Sequence, residues 1–252
     1  MGGLTSQQLV ALACMDAHAP GFTSQAGQFL NMILGDLCRT YDLEVAAKTF
    51  YGNFQLGLQA KMGNSLYGSG PYPLPSDFLR LKDEKAAFWT LQGVVYDMIP
   101  CDLGEFDVLV QQSDIQSYPY IIATDVSLGD AAQQQLPVGS AGAFYVYSPP
   151  SGTYPYTLRY FSQMPDIATP ETSNVVPWFP HQGYLRKKLA AAIMGQVDDD
   201  RQPSWETQAD GMLREYLILK DNRSNRAKVV KLDRRYFGKS FSALKNTKTI
   251  GW

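Results

Sequence analysis

Apolar residues recur at helical spacing near the N-terminus, which predicts two amphipathic helices. Thr5 is placed to cap the first helix, with Gln8 three positions later as its capping-box partner. The second helix begins at Thr23 or Ser24 and ends near Tyr41. Because the connection between them is short, we expect an antiparallel hairpin. The apolar residues of the two helices are Leu9, Leu12, Ala13, Phe29, Leu30, Ile33, Leu34 and Leu37.

The same spacing returns toward the C-terminus and predicts a second helical hairpin. One helix covers Trp178 to Val197, and another begins at Ser204, which can cap it. The run Asp198-Asp199-Asp200 separates the two helices. After Lys220 the apolar periodicity fades, so we expect an extended segment there. The apolar positions of this hairpin are Leu185, Leu189, Ala192, Ile193, Trp205, Ala209, Met212, Leu213 and Tyr216.

The middle of the chain, from Val45 to about Met164, is rich in Tyr, Phe, Val, Gly and Pro, a composition typical of strands joined by turns. Apolar runs such as Tyr120-Ile121-Ile122 indicate burial on both faces of a sheet. A short helix is expected from Leu103 to Leu109. The clearest predicted strands are Leu74–Leu81, Val94–Ile99, Tyr120–Ala123, Phe144–Tyr147 and Tyr156–Phe161.

These elements predict an α+β fold. The N-terminal and C-terminal helical hairpins, residues 1–44 and 175–220, are expected to pack together as one four-helix bundle. Residues 45–174 are expected to form an antiparallel β insertion, and residues 221–252 an extended, basic C-terminal arm. With 45% apolar and 18% charged residues among 252, the chain can bury a core of this size and is not disordered.

Charge is distributed unevenly along the chain. The net charge is −2, but from Lys220 to Trp252 there are ten basic and two acidic residues, which leaves residues 1–219 at −10. An acidic body with a basic tail indicates that the tail contacts something acidic. Two interpretations stay open: Tyr236 and Phe237 could stack on nucleic-acid bases, or the tail could dock on another protein.

No catalytic, cofactor or metal site can be argued from the residues. His18 and His181 have no partner at ligand spacing, so we expect surface or capping roles for them. The aspartates of 198–200 are adjacent on a predicted turn and do not converge readily on a cation. The chain has no apolar run of 18 residues and no signal-peptide pattern at its N-terminus, so we expect the protein to be made and used in the cytoplasm, with no membrane partner.

Four short segments, taken in order, resemble those of the head-to-tail adaptor (connector) proteins of tailed bacteriophages. The first, Tyr72 to Leu81, reads Y-P-L-P-S-D-F-L-R-L. The others are Phe144 to Pro150, Tyr156 to Pro165, and Asn174 to Ala192, which enters a helix. The resemblance covers about residues 5–220 and depends on the order of these segments more than on any single one.

The resemblance implies a structural protein of the virion neck, not an enzyme, with no cofactor. It implies a ring of twelve copies below the portal that links the capsid to the tail and lines the channel through which double-stranded DNA passes without sequence-specific contact. The other partners would be a tail or nozzle protein and further copies of the same chain. The predicted portal-binding residues of the arm are Arg223, Arg226, Lys228, Lys231, Arg234, Arg235, Tyr236, Phe237, Lys239 and Phe241.

Three alternative functions remain at this point. One is a DNA-binding protein that uses its basic tail, which a salt-dependent gel shift would test. The same fold could serve a neck stopper or tail-completion protein, which would not need the arm to bind a portal. A virion-associated cell-wall hydrolase is the alternative from another class, and it would clear peptidoglycan.

Overall fold

The structure, a computed structural model, describes residues 3–55, 69–83, 85–110, 117–126 and 136–231. The chain divides into two compact units. The helical unit comprises residues 1–33 and 167–252, and the β unit comprises residues 34–166.

Five α-helices lie in the described residues. They are α1 (Ser6–Asp16), α2 (Thr23–Thr40), α3 (Leu103–Val110), α4 (Gln182–Gln196) and α5 (Gln202–Lys231). The division between the units falls inside α2, after residue 33. Single 3-10 turns at Pro20–Phe22 and Glu44–Ala46 precede α2 and the first strand.

Nine strands in the described residues form two sheets within the β unit. One sheet has the order β1-β9-β4-β5, with β3 also paired to β9, and the other has the order β2-β8-β7-β6. All pairs are antiparallel except β6 with β7. The strands are β1 (Ala47–Asn53), β2 (Ser69–Pro73), β3 (Phe78–Leu81), β4 (Ala87–Leu91), β5 (Val94–Asp97), β6 (Ile99–Cys101), β7 (Ile121–Asp125), β8 (Ala143–Tyr147) and β9 (Pro155–Ser162).

Two helix starts are fixed by side-chain caps. The capping box predicted for α1 is confirmed. The backbone N–H of Gln8 donates to the Thr5 hydroxyl, and the backbone N–H of Thr5 donates to the side-chain oxygen of Gln8 at 3.0 Å. His181 caps α4, where its Nδ1 accepts from the Tyr184 N–H at 3.0 Å. The expected capping role of His181 is therefore confirmed.

The core of the helical unit lies along α4. This helix packs against α1 on one side and α5 on the other, and Leu185, Leu189 and Ile193 are fully buried. The first half of α2 joins the segment after residue 166 through Asn31, whose side chain both donates to and accepts from the backbone of Ile167 at 3.0 Å.

The β unit is built in three layers. Its two sheets face each other across one apolar core, to which each sheet contributes alternate side chains. Helix α3 covers the other face of the β2-β8-β7-β6 sheet and buries Phe106 there. Because this sheet is covered on both faces, consecutive residues of β7 and β8 are buried, which confirms the two-sided burial expected from their apolar runs.

The expectation of one four-helix bundle with an antiparallel β insertion is wrong. Helix α1 packs against α4 and not along α2, so no N-terminal hairpin forms. Leu34, Leu37 and Cys38 of α2 are buried and belong to the β unit, which contains both sheets. The apolar spacing of α2 correctly indicated a buried face, but spacing alone does not say what covers that face.

Two local predictions were also wrong. Residues 221–231 are not extended but continue α5, and no glycine or proline interrupts the chain between Gly211 and Gly238. The strand expected from Leu74 to Leu81 is shorter than predicted, because residues 76–77 form a turn and only Phe78–Leu81 is strand.

Replacing Leu189 with Ala should lower the free energy of unfolding by about 2–5 kcal/mol, because it leaves a cavity in the core of the helical unit. The matched control is Leu219→Ala in the same unit, since Leu219 is 62% exposed and its truncation should cost about 0.5 kcal/mol or less. Urea denaturation of both variants measures the difference. Equal losses would mean that the apolar side of α4 is not the buried one.

Candidate interaction surfaces

The segment Tyr72 to Leu81 carries the chain from one sheet to the other. Tyr72, at the end of β2, stacks on Phe144 with ring centroids 5.2 Å apart, and Phe78, at the start of β3, stacks on Tyr160 at 5.5 Å. Both rings lie in the core between the sheets. Tyr72 also contacts Tyr156 of the other sheet, with ring centroids 6.2 Å apart, so this segment contributes to the layer that joins the two sheets.

Arg80 of β3 binds the C-terminal end of α2. Its guanidinium donates to the backbone carbonyls of Cys38, Arg39 and Tyr41 at 3.1–3.3 Å and to the Asp42 carboxylate at 2.7 Å. The last carbonyls of a helix have no partner within the helix, so a side chain with several donors satisfies them. Arg80 thus joins α2 to the sheet that contains β3.

Asp77 lies beside Lys48 and Tyr160 at one end of the same sheet. Its carboxylate accepts hydrogen bonds from the Lys48 ammonium and, at 2.8 Å, from the Tyr160 hydroxyl. Burial acts to raise the pKa of the Asp77 carboxyl, but the hydrogen bonds and the Lys48 charge outweigh it, so that this pKa is lowered. Burial and the bond to Asp77 raise the pKa of Tyr160.

A surface cleft of about 570 Å³ opens beside these side chains. Its charged lining is one lysine and two aspartates, with the exposed Asp166 as the second acid. Since Lys48 and Asp77 already satisfy each other, the cleft has the character of a solvated surface notch. Its lining residues are Lys48, Ser76, Asp77, Gln163, Met164, Pro165 and Asp166.

In the described ranges, no group of three or more His, Cys, Asp or Glu side chains is arranged so that it could hold a metal ion. Asp199 of the acidic run accepts from the Arg201 guanidinium, which lowers the Asp199 pKa to about 2. Burial, with the negative charges of Glu105 and Asp102, raises the pKa of Cys101 to about 11, so its thiol stays protonated near neutral pH.

The basic run Arg186-Lys187-Lys188, a conceivable contact surface for a neighbouring subunit, is already paired within the chain. Arg186 binds Asp16 through two hydrogen bonds of 2.6 and 2.7 Å. Lys188 binds Glu206 and Asp210 of α5, and the Lys187 ammonium lies 4.9 Å from the centroid of the Trp205 ring. These side chains stabilise the packing of α4 and are not free to bind a partner's acids.

Acidic residues dominate the β unit. Residues 34–166 contain fourteen acidic and seven basic residues, a net charge of −7. Within them, residues 86–158 contain seven acidic residues and no Lys, Arg or His. This 73-residue stretch includes β4 to β8, α3 and the start of β9. The net charge of −10 on residues 1–219 therefore lies mostly in one unit, which the charge count along the chain did not indicate.

The predicted portal-binding residues are only partly covered by the structure. Residues 223–231 belong to the last turns of α5, of which the backbone alone is described. Arg234, Arg235, Tyr236, Phe237, Lys239 and Phe241 lie outside the described residues. Their assignment to a portal contact stays a prediction.

Comparison with known protein families identifies the family to which the chain belongs. The model of the SU10 adaptor protein family matches residues 4–231. The chain belongs to this family. SU10 adaptor proteins are phage head-to-tail adaptors, so the resemblance noted from the four segments is confirmed. No curated protein matches the chain. In the described residues of this adaptor, no helix has the length and apolarity to cross a membrane.

The adaptor should lose stability when Arg80 becomes Lys, because an ammonium cannot replace the several donors that bind the end of α2. We expect the free energy of unfolding to fall by about 1–2 kcal/mol. Arg39→Lys is the control, since Arg39 is exposed on the same helix end and only its backbone carbonyl takes part. Urea denaturation measures the unfolding free energy of both variants. Equal losses for Arg80→Lys and Arg39→Lys would contradict the role given to Arg80.

Asp77→Asn should destabilise the adaptor by about 1 kcal/mol at neutral pH, because the partly exposed bond with Lys48 becomes weaker. A carboxyl whose pKa is lowered by folding stabilises the protein above its unfolded pKa, and this stabilisation is lost as the pH falls. The difference from wild type should therefore shrink below a pH of about 4. Asp166→Asn, at an exposed position, is the control, and urea denaturation at a series of pH values measures both variants. If the difference in unfolding free energy between Asp77→Asn and wild type stayed constant below a pH of about 4, the role given to Asp77 would be wrong.

Proposed function

We propose that this adaptor is one subunit of a ring that joins the portal of a tailed phage to its tail, in the neck of the virion. The ring would contain twelve copies, with the portal on one side and a tail or nozzle protein on the other. The family match over residues 4–231 is the observation that carries this proposal.

The charge of the β unit supports a place beside the DNA channel. A net charge of −7, with no basic residue from 86 to 158, repels a phosphate backbone. Double-stranded DNA could then slide along such a surface during packaging and ejection without adhering to it.

The basic C-terminal part supports the portal contact. From Lys220 to Trp252 the net charge is +8, which would bind an acidic surface of the portal. The last described part of this region is the end of α5, and residues 232–252 follow it. We expect isolated subunits to be monomeric and rings to form on the portal, because subunits that closed rings alone would prevent ordered assembly.

Neutralising the arm should weaken portal binding. The test variant is Arg234→Gln, Arg235→Gln and Lys239→Gln, and the control neutralises the exposed Arg39, Lys82 and Arg214 in the same way. Sedimentation velocity of each protein with the purified portal of the same phage measures the bound fraction. We expect the wild type and the control to co-sediment with the portal and the arm variant to stay largely free.

Salt provides the second measurement of this experiment. An electrostatic contact should weaken steeply as ionic strength rises, and the arm variant should show a shallower dependence. Portal binding that is unchanged in the arm variant would overturn the arm's role, whereas a wild-type protein that does not bind the portal at all would overturn the proposed function.

A further inference from the structure

Strand β5 is an open edge of the five-stranded sheet. In the described residues it pairs only with β4, across a two-residue turn in which Gln92 and Gly93 both have positive φ. All four β5 residues are exposed, and Val94 and Val95 expose 53% and 55% of their surface. An apolar edge strand with unpaired backbone groups is a site for pairing with another strand.

Strand β1 is the opposite edge of the same sheet. It pairs with β9 along its whole length and, in the part of the chain that the structure describes, with nothing on its outer side. Its Tyr51 is 72% exposed, the largest exposure of any aromatic side chain in the described residues. Both edges of this sheet therefore combine unpaired backbone with exposed apolar side chains.

The directions of the two edge strands are compatible with one another. Each neighbour on the path β1-β9-β4-β5 is antiparallel to the next, so β1 and β5 run in opposite directions. A second copy in the same orientation would therefore place its β1 antiparallel to β5 of the first. The alternation of strand directions continues across such a junction without a change.

The side chains of the two edges also match face by face. Tyr96 of β5 stacks on the core residue Trp89 at 4.5 Å, so Val95 points to the outer face of the sheet. On β1, Phe50 packs against the core and Tyr51 points outward. One antiparallel register that preserves the faces sets Val95 opposite Tyr51 and Tyr96 opposite Phe50. Aromatic residues opposite β-branched or aromatic ones are favourable cross-strand pairs.

We propose that the five-stranded sheet continues from one subunit to the next, with β5 of one copy paired to β1 of its neighbour. This interface rests on the proposed ring, and it specifies which surfaces close it. It joins two different patches, as a cyclic ring requires, while pairing β5 with β5 would stop at a dimer. The match of direction and face between β5 and β1 favours a second copy of this chain over an unrelated strand.

The junction is short, which agrees with monomers in isolation. A four-residue strand offers few backbone hydrogen bonds, and each favourable cross-strand pair adds only about 0.2–1 kcal/mol. Binding to adjacent sites on a portal would raise the effective concentration of neighbouring subunits, so that weak edges suffice to close the ring.

Engineered cysteines test the junction directly. In a variant with Tyr51→Cys and Val95→Cys, each subunit carries one new thiol on each edge, so oxidation of portal-bound rings should give a ladder of covalent multimers. Either single substitution should give no ladder. The wild type, which carries Cys14, Cys38 and Cys101, sets the background. Disulfide-linked dimers from Val95→Cys alone would show β5 pairing with β5 and overturn the proposal.

A charge on the edge gives an independent readout. Val95→Lys should abolish rings on the portal in electron micrographs while leaving the urea midpoint of the free protein near that of the wild type, because Val95 is already exposed. Val126→Lys is the matched control, since Val126 is 57% exposed and directly follows β7, a strand of the other sheet. It should form rings as the wild type does.

The outcomes separate the two proposals. If wild-type rings form but the double-cysteine variant gives no ladder and Val95→Lys still assembles, the edge interface is wrong and the adaptor function stands. If the wild type forms no rings on its portal, the proposed function fails and the interface fails with it.

Discussion

The apolar layer shared by the two sheets is the constraint on which the β unit depends. Trp89, Tyr156 and Leu158 of one sheet meet Tyr72 and Phe144 of the other in it, all of them buried. Aromatic pairs of this kind contribute about 0.5–1.5 kcal/mol each beyond the burial of their surface. Strands β2 and β3 belong to different sheets, and the segment between them carries the chain from one side of this apolar layer to the other. Asp77 and Arg80 follow directly, and they tie the crossing to β1 and β9 and to the end of α2.

Because the inner face of each sheet is buried in this layer, only the sheet edges and the outer surfaces are available to partners. The outer edges of β1 and β5 stay open in the described structure, and the stretch from residue 86 to 158 presents only acidic charge. Basic side chains that looked available, in the run from Arg186 to Lys188, are used to hold α4 against α1 and α5. The open sheet edges, the acidic β unit and the basic C-terminal region are the three features on which the proposed ring depends.

Local signals in the sequence predicted local structure well. The Thr5 capping box, the short helix α3, and the strands β7, β8 and β9 could be read from side-chain chemistry and spacing, since each depends on neighbours in the chain. The element that packs against α2 could not be predicted in this way, because the apolar face of α2 fits a helix or a sheet equally well. The strands β1, β2 and β4 were not singled out, since Gly68 to Pro71 has turn composition and a charged run precedes Ala87. Pairing between segments about 70 residues apart, as between Ala87 and Leu158, leaves no mark in either segment alone.

The central claim is that copies of this chain close a ring on the portal through the edges of one sheet. A cryo-electron microscopy reconstruction of the full-length protein bound to the portal of its phage tests it most directly. The account predicts a closed ring in which β5 of each subunit lies beside β1 of the next at the spacing of paired strands, about 4.8 Å. Subunits bound to the portal with these two edges apart, or no ring at all, would contradict it.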